Sequence, residues 1–243
     1  MPLSDHLDSM LAGAMEAAEG LRFDKKHPLH FTLVALFGSV VELTHGLKVL
    51  QDAGATCAVP SAFRTLLETR VEFVNLLADA KYGYFMEAAD LKETLKMLRA
   101  ARDGRNPYLT DIAALPNLLD LTRQLEDRLE ELRREGYHSL QIVERFERAG
   151  MKAEYESIYN SLSTDSDSNR RALVDRHVEL DEGDFELVFF KKSSDEYSLP
   201  YLDSASTYLL ESTREILALL ATKDSVGAFD AVLASIPELQ GRG

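Results

Sequence analysis

A single cysteine, Cys57, stands in the whole chain, and tryptophan is absent. A lone cysteine excludes an internal disulfide and a Cys-rich metal site. It fits a reducing cytoplasm, the compartment expected here. Positive charge is the second scarcity. Lys and Arg total 27 against 41 Asp and Glu, a formal net charge of −14. That balance disfavours broad binding to nucleic acid or to an anionic membrane, since both are held by positive patches. Also missing is an uncharged apolar run of membrane-spanning length. The longest candidate, Leu29 to Leu50, is broken by Glu42, His45 and Lys48. The opening MPLSDHLDSM has no basic stretch before an apolar one, so no signal peptide is expected. There is no glycine-rich phosphate cradle, and no Ser or Cys has the flanking glycines of a nucleophile turn.

What is present is ordinary for a soluble globular protein: 243 residues, 45% hydrophobic and 28% charged. A chain of this size can bury a core that needs no staples. No repeat and no long linker forces a cut. One helical domain is expected, with a core over about 29–180 and a helical accessory over 181–243. Its centre is the stretch from Leu29 to Ala80, read as two long helices forming an antiparallel pair. The first, to Asp52, is apolar on nearly every side (Phe31, Val34, Phe37, Val40, Val41, Leu47) and so reads as surrounded by others. The second, from Ser61, is two-faced. Phe63, Leu66, Leu67, Val71 and Leu77 form its apolar side, and Arg64, Glu68, Glu72 and Asn75 line the other.

Around this pair the punctuation marks further helices. Ser4 and Gly20 bound a first helix, and Asp79 and Gly104 a fourth. The stripe Leu118, Leu121, Leu125, Leu129 and Leu132, opened by Leu115-Pro116 and closed by Gly136, makes a fifth. An amphipathic helix follows with Tyr155, Ile158, Tyr159 and Leu162, then the polar stretch Ser163 to Asn169 and a helix through Arg176. After an acidic turn at Asp181–Asp184, Phe185–Phe190 reads as one short strand or hairpin arm. Tyr201–Thr222 and a helix capped by Asp224 complete an all-α bundle.

Three pieces together carry a resemblance: Glu42 with Phe63-Arg64-Thr-Leu-Leu-Glu68; Ala149-Gly150 ahead of Tyr155; and Tyr155-x3-Tyr159-x2-Leu162-Ser163 before a polar turn. The pattern resembles a large bacterial family of helical proteins known only as a domain of unknown function, over roughly residues 30 to 180. The resemblance implies an all-helical fold and supplies no activity. In that family the polar turn often holds a histidine, where this chain has Asp167.

Several constellations could carry chemistry. Arg64 and Glu68 are four apart, as are Glu68 and Glu72. Stacked glutamates call for a cation, and Arg64 is best placed to supply it, with Glu42 on the neighbouring helix joining. The expected site therefore gathers Arg64, Glu68, Glu72, Glu42 and His45, with Tyr155 and Tyr159 of the motif. It is either a structural ion-pair network or a pocket for a small ligand. Arg171-x5-His177 matches the Arg-x4–6-His pattern of helical nucleases, with His as acid or base and Arg on a phosphate. Copies at Arg22–His27 and Arg133–His138 show how often chance produces it. Glu42-x-x-His45 and Glu135-x-x-His138 echo di-metal bundles, but Gly136 interrupts the second. Asp165-x-Asp167-x-Asn169 opens like a calcium loop, yet Arg170 and Arg176 stand where Gly and Glu are required. A basic strip at Lys92, Lys96, Arg99 and Arg102 is interleaved with Asp90, Glu93 and Asp103, as a solvated face would be. The reading is a non-catalytic binding or regulatory module. Its partner is an unidentified small ligand or protein, compatible with a homodimer, and no cofactor is identified. A ribonuclease-like enzyme is the first alternative and a carboxylate/His metal bundle the second.

Overall fold

The computed structural model describes residues 3–162, 170–181, 184–189, 191, 195–221, 223–234 and 236. The fold is all-α with one small antiparallel hairpin. It divides into two compact units, Met1–Val74 with Ala149–Gly243, and Asn75–Arg148.

In the first unit a short 3-10 turn leads into α1 (Leu7–Glu19), and α2 follows over Pro28–Asp52. Pro28 opens α2 at a position where the missing N–H costs nothing. Helix α2 is not surrounded. Leu33, Phe37, Val40, Val41, Thr44 and Leu47 form one buried face, whereas Phe31 is 63% exposed. By length and composition α2 could cross a membrane, and the core helix of a soluble protein passes the same test. Its buried face packs on the long helix Asp195–Leu220, which also packs on α1. Helix α3 starts at Val59, ahead of the expected Ser61, because Pro60 is tolerated in a first turn; it runs to Ala78.

Tertiary contacts set the direction of the long helix. Phe63 of α3 meets Tyr201 and Tyr208 at ring separations of 5.2 and 6.1 Å. Two turns further on, Arg70 meets Glu211, Ser212 and Glu215. Residue numbers rise together, so α3 and Asp195–Leu220 run in the same direction. That helix also begins earlier than the expected Tyr201, taking Pro200 into its interior. The last helix, Lys223–Ala234, crosses α1 where Gly13 lies. A Cβ on Gly13 would stand 3.0 Å from the Val232 side chain, so glycine permits that approach.

The second unit contains α4 (Tyr82–Arg102), the single turn α5 (Thr110–Ala113), α6 (Leu118–Arg134) and α7 (Ile142–Arg148). The leucine stripe of α6 is used as its spacing requires. Leu129 and Leu132 join Ala88, Leu91 and Leu95 of α4 in one buried cluster, with Leu125 and Tyr137 against it. Helix α6 opens at Leu118, after Leu115 and Pro116 rather than with them. It closes in a Schellman turn. Gly136 has φ 94°, its N–H bonds to Arg133 O, and Tyr137 N–H bonds to Leu132 O. Arg128 forks onto both oxygens of Glu87 at 2.7 and 2.9 Å, clamping α6 to α4.

The rest of the chain returns to the first unit. Helix α8 (Lys152–Glu154) continues into a wide turn at Tyr155–Tyr159, with residues 160–162 helical again. Then come α9 (Arg170–His177), β1 (Val178–Asp181), β2 (Asp184–Leu187), α10 (Asp195–Leu220) and α11 (Lys223–Ala234). The expected strand at 185–190 is β2, one residue earlier and ending at Leu187. Its partner β1 falls where the sequence shows only the approach to an acidic turn, and Asp181 and Asp184 close the ladder. The calcium-like Asp165-x-Asp167-x-Asn169 and the position of the family histidine lie outside the described residues.

Candidate functional site

The i,i+4 spacing on α3 sets Arg64 and Glu68 side by side, and Arg64 Nε donates to Glu68 Oε1 at 3.1 Å. The third member comes from α8. At Tyr155–Tyr159 the helix widens to π geometry, a local expansion that frequently marks functional positions. The turn stacks Tyr155 on Tyr159 with ring centroids 5.5 Å apart, and it carries the Tyr159 hydroxyl to α3. That hydroxyl donates to Glu68 Oε1 at 2.7 Å and accepts from Arg64 Nη2 at 3.0 Å. The Arg64 guanidinium also lies 5.0 Å from the Tyr159 ring centre.

Electrostatics follows this geometry. Burial pushes the Tyr159 phenol above its ordinary range, the bond to Glu68 adds to that, and Arg64 opposes it. Burial lowers the Arg64 pKa, but the bonds to Tyr159 and Glu68 outweigh it and the net shift is upward. The phenol therefore stays neutral and the guanidinium charged. The cluster is not sealed, for the Arg64 and Glu68 side chains remain 32% and 39% exposed. Both bonds to Glu68 end on Oε1, so among the described residues Oε2 is available as an acceptor.

A second polar cluster lies on the other side of α3. Arg70, with only 5% of its side chain exposed, bonds to Ser212 at 3.0 Å, to Glu211 at 3.1 Å and to both oxygens of Glu215. Its guanidinium lies 5.8 Å from the Phe73 ring centre. Nearby, burial with the charges of Glu154 and Glu211 pushes the Tyr208 phenol up to about 12. None of this second cluster was anticipated from sequence. The signal was Arg70 itself, a charge at helical spacing among the apolar residues of α3.

The remaining candidates are scattered. Glu72 is half-buried, one turn beyond Glu68. Glu42 and His45 are exposed on α2 and make no hydrogen bond or ion pair among the described residues. His177 ends α9 half-buried, with Nδ1 3.4 Å from Val188 O, while the Arg171 side chain lies outside the described residues. Glu135 and His138 are not on one helical face, because the Gly136 turn separates them. Among the described residues no group of three or more His, Cys, Asp or Glu could hold a metal. In the second unit an open cavity of about 360 Å³ lies between α4 and α6, lined by Lys92, Arg99 and Arg133 against Glu126, Asp127 and Glu130. Arg99, at its wall, pairs with Glu126 at 2.8 Å.

The chain matches no curated protein and no solved structure. One family pattern does match, over residues 30–185, a span that holds Arg64, Glu68, Tyr155 and Tyr159. On that match the chain belongs to the family of unknown function DUF5677.

Proposed function

We propose that this protein is a non-catalytic, cytoplasmic binding module whose small-ligand site is the Arg64–Glu68–Tyr159 cluster. One observation carries the reading. The three groups satisfy one another through Oε1 and the phenol, yet Glu68 Oε2 remains an acceptor on a half-open lip. A group meant for proton transfer works best with a pKa near the working pH. Here the bonds to Tyr159 and Glu68 push Arg64 upward against its burial, and burial with the bond to Glu68 pushes Tyr159 upward, both away from neutrality. The matching ligand offers an N–H donor to Glu68 Oε2, as an amide, amidine or nitrogen heterocycle does. Binding would draw on preorganisation, since the π turn and the neighbouring bonds already hold Glu68 in place.

A thermal-shift screen of small amides, amidines and heterocycles tests this. A hit should raise the Tm of the native chain and leave that of Glu68→Gln and Tyr159→Phe unmoved. A ligand that stabilises all three equally binds elsewhere, and a panel without a hit contradicts the assigned ligand chemistry.

A further inference from the structure

The register makes the hairpin two-faced. Val178 stands opposite Leu187 and Leu180 opposite Phe185, so these four positions share one face. Glu179 stands opposite Glu186 and Asp181 opposite Asp184 on the other. Strand β2 is uncovered on both sides. Phe185 is 66% and Leu187 57% exposed, and Asp184 and Glu186 are exposed as well. Like charges directly opposite destabilise a strand pair, and a lone hairpin is marginal in water.

The backbone gives the direction in which a partner could be added. Val188 N–H donates to His177 O at 2.8 Å, which makes this a hydrogen-bonded pair. By the alternation of antiparallel ladders, the backbone groups of Val178, Leu180, Phe185 and Leu187 then point outward along the two edges. On the β1 edge, Lys191 Nζ donates to Val178 O at 3.1 Å and lies 4.0 Å from Glu179 Oε1. A positive side chain is thus already taken up there. On the β2 edge, Asp184 Oδ1 holds Phe185 N–H at 2.8 Å, and Leu187 has no hydrogen bond outward among the described residues.

We infer that the β2 edge, Asp184–Leu187, docks an extended segment that alternates apolar and basic residues. An added strand sets its apolar side chains beside Phe185 and Leu187 and its Lys or Arg beside Asp184 and Glu186, with backbone bonds supplying affinity. The same charges argue against a second copy of this chain. Edge-to-edge pairing would bring Asp184 and Glu186 against their own counterparts, the device by which exposed edges avoid self-association.

The test uses the full chain and a labelled octapeptide of alternating Val and Lys, followed by fluorescence anisotropy. Two controls accompany it: the alternating Val and Glu octapeptide, and the Val/Lys peptide N-methylated along its pairing edge. The Val/Lys peptide should bind saturably, and both controls at least about tenfold more weakly. Glu186→Lys sets opposite charges across from Glu179, so the hairpin is kept while the preference turns to the Val/Glu peptide. Equal binding of the N-methylated peptide would reduce the effect to diffuse attraction by an acidic chain and overturn the proposal. An unchanged preference in Glu186→Lys, no saturable binding, or a chain dimer that competes with the peptide would overturn it as well.

Discussion

The Tyr159 hydroxyl donates to Glu68 Oε1 at 2.7 Å, joining two residues 91 positions apart in the chain. Glu68 already holds Arg64 within its own helix, so this bond, with the one from Arg64 Nη2 to the same hydroxyl, ties the wide turn of α8 to α3. It also makes the cluster a property of the fold rather than of one helix.

Tyr159→Phe removes that bond together with the one accepted from Arg64, and keeps the ring stacked on Tyr155. A hydrogen bond to a charged acceptor is worth about 1.5–3 kcal/mol, and the exposure of Glu68 puts this one at about 1.5 kcal/mol. Chemical denaturation reads the loss directly, and an unchanged midpoint would show that the hydroxyl holds nothing. Combined with Arg64→Ala in a double-mutant cycle, the pair should couple by about 1 kcal/mol.

Arg70→Met should be the more damaging change. The guanidinium is buried and answers two carboxylates and a serine, and its loss leaves them on α10 without a cation. Breaking a buried pair costs about 3–5 kcal/mol; because Glu211 and Glu215 are partly open to water, we expect about 3 kcal/mol. The check is the unfolding free energy, with Glu211→Gln as the milder comparison.

Stability should also fall at high pH. Burial raises the phenols of Tyr159 and Tyr208, the latter to about 12 from 10.0. The folded chain keeps these protons where the unfolded chain has lost them. The contribution is therefore full below the unfolded value and is lost as pH rises through the folded one. Melting curves should decline steeply between pH 10.0 and about 12. Tyr208→Phe should flatten the decline, and an identical profile in that variant would contradict the assignment.

In the second unit, Gly136→Ala tests the turn that ends α6. The φ of 94° lies in the left-handed region, and a Cβ there meets nothing within 4 Å, so the cost is conformational alone. About 1–2 kcal/mol of destabilisation is expected, read by urea titration.

How much of this was legible depended on whether the signal was local. The leucine stripe of α6 and the Arg64–Glu68 pair repeat at helical spacing, so sequence alone could place them. The tyrosines of the 155–159 motif were visible as a pattern, but their route to Glu68 passes through a π turn that spacing does not announce. Helix α2 concealed its buried face because it is apolar nearly all round, which is why Glu42 read as facing α3 when it is exposed. The partners of Arg70 lie 141 to 145 residues away, beyond any periodicity. Strand β1 follows directly on α9, and its four residues Val-Glu-Leu-Asp alternate too briefly to stand apart from a helix end.

The central claim is that the Arg64–Glu68–Tyr159 cluster holds a ligand without transforming it. The direct measurement is to incubate the chain with a stoichiometric amount of an N–H-bearing compound that raises its Tm, release the compound by denaturation, and weigh it by mass spectrometry. The account predicts one equivalent bound per chain, recovered chemically unchanged, and no equivalent retained by Glu68→Gln. Recovery of a converted product from the native chain but not from Glu68→Gln would make this cluster an active site and contradict the account.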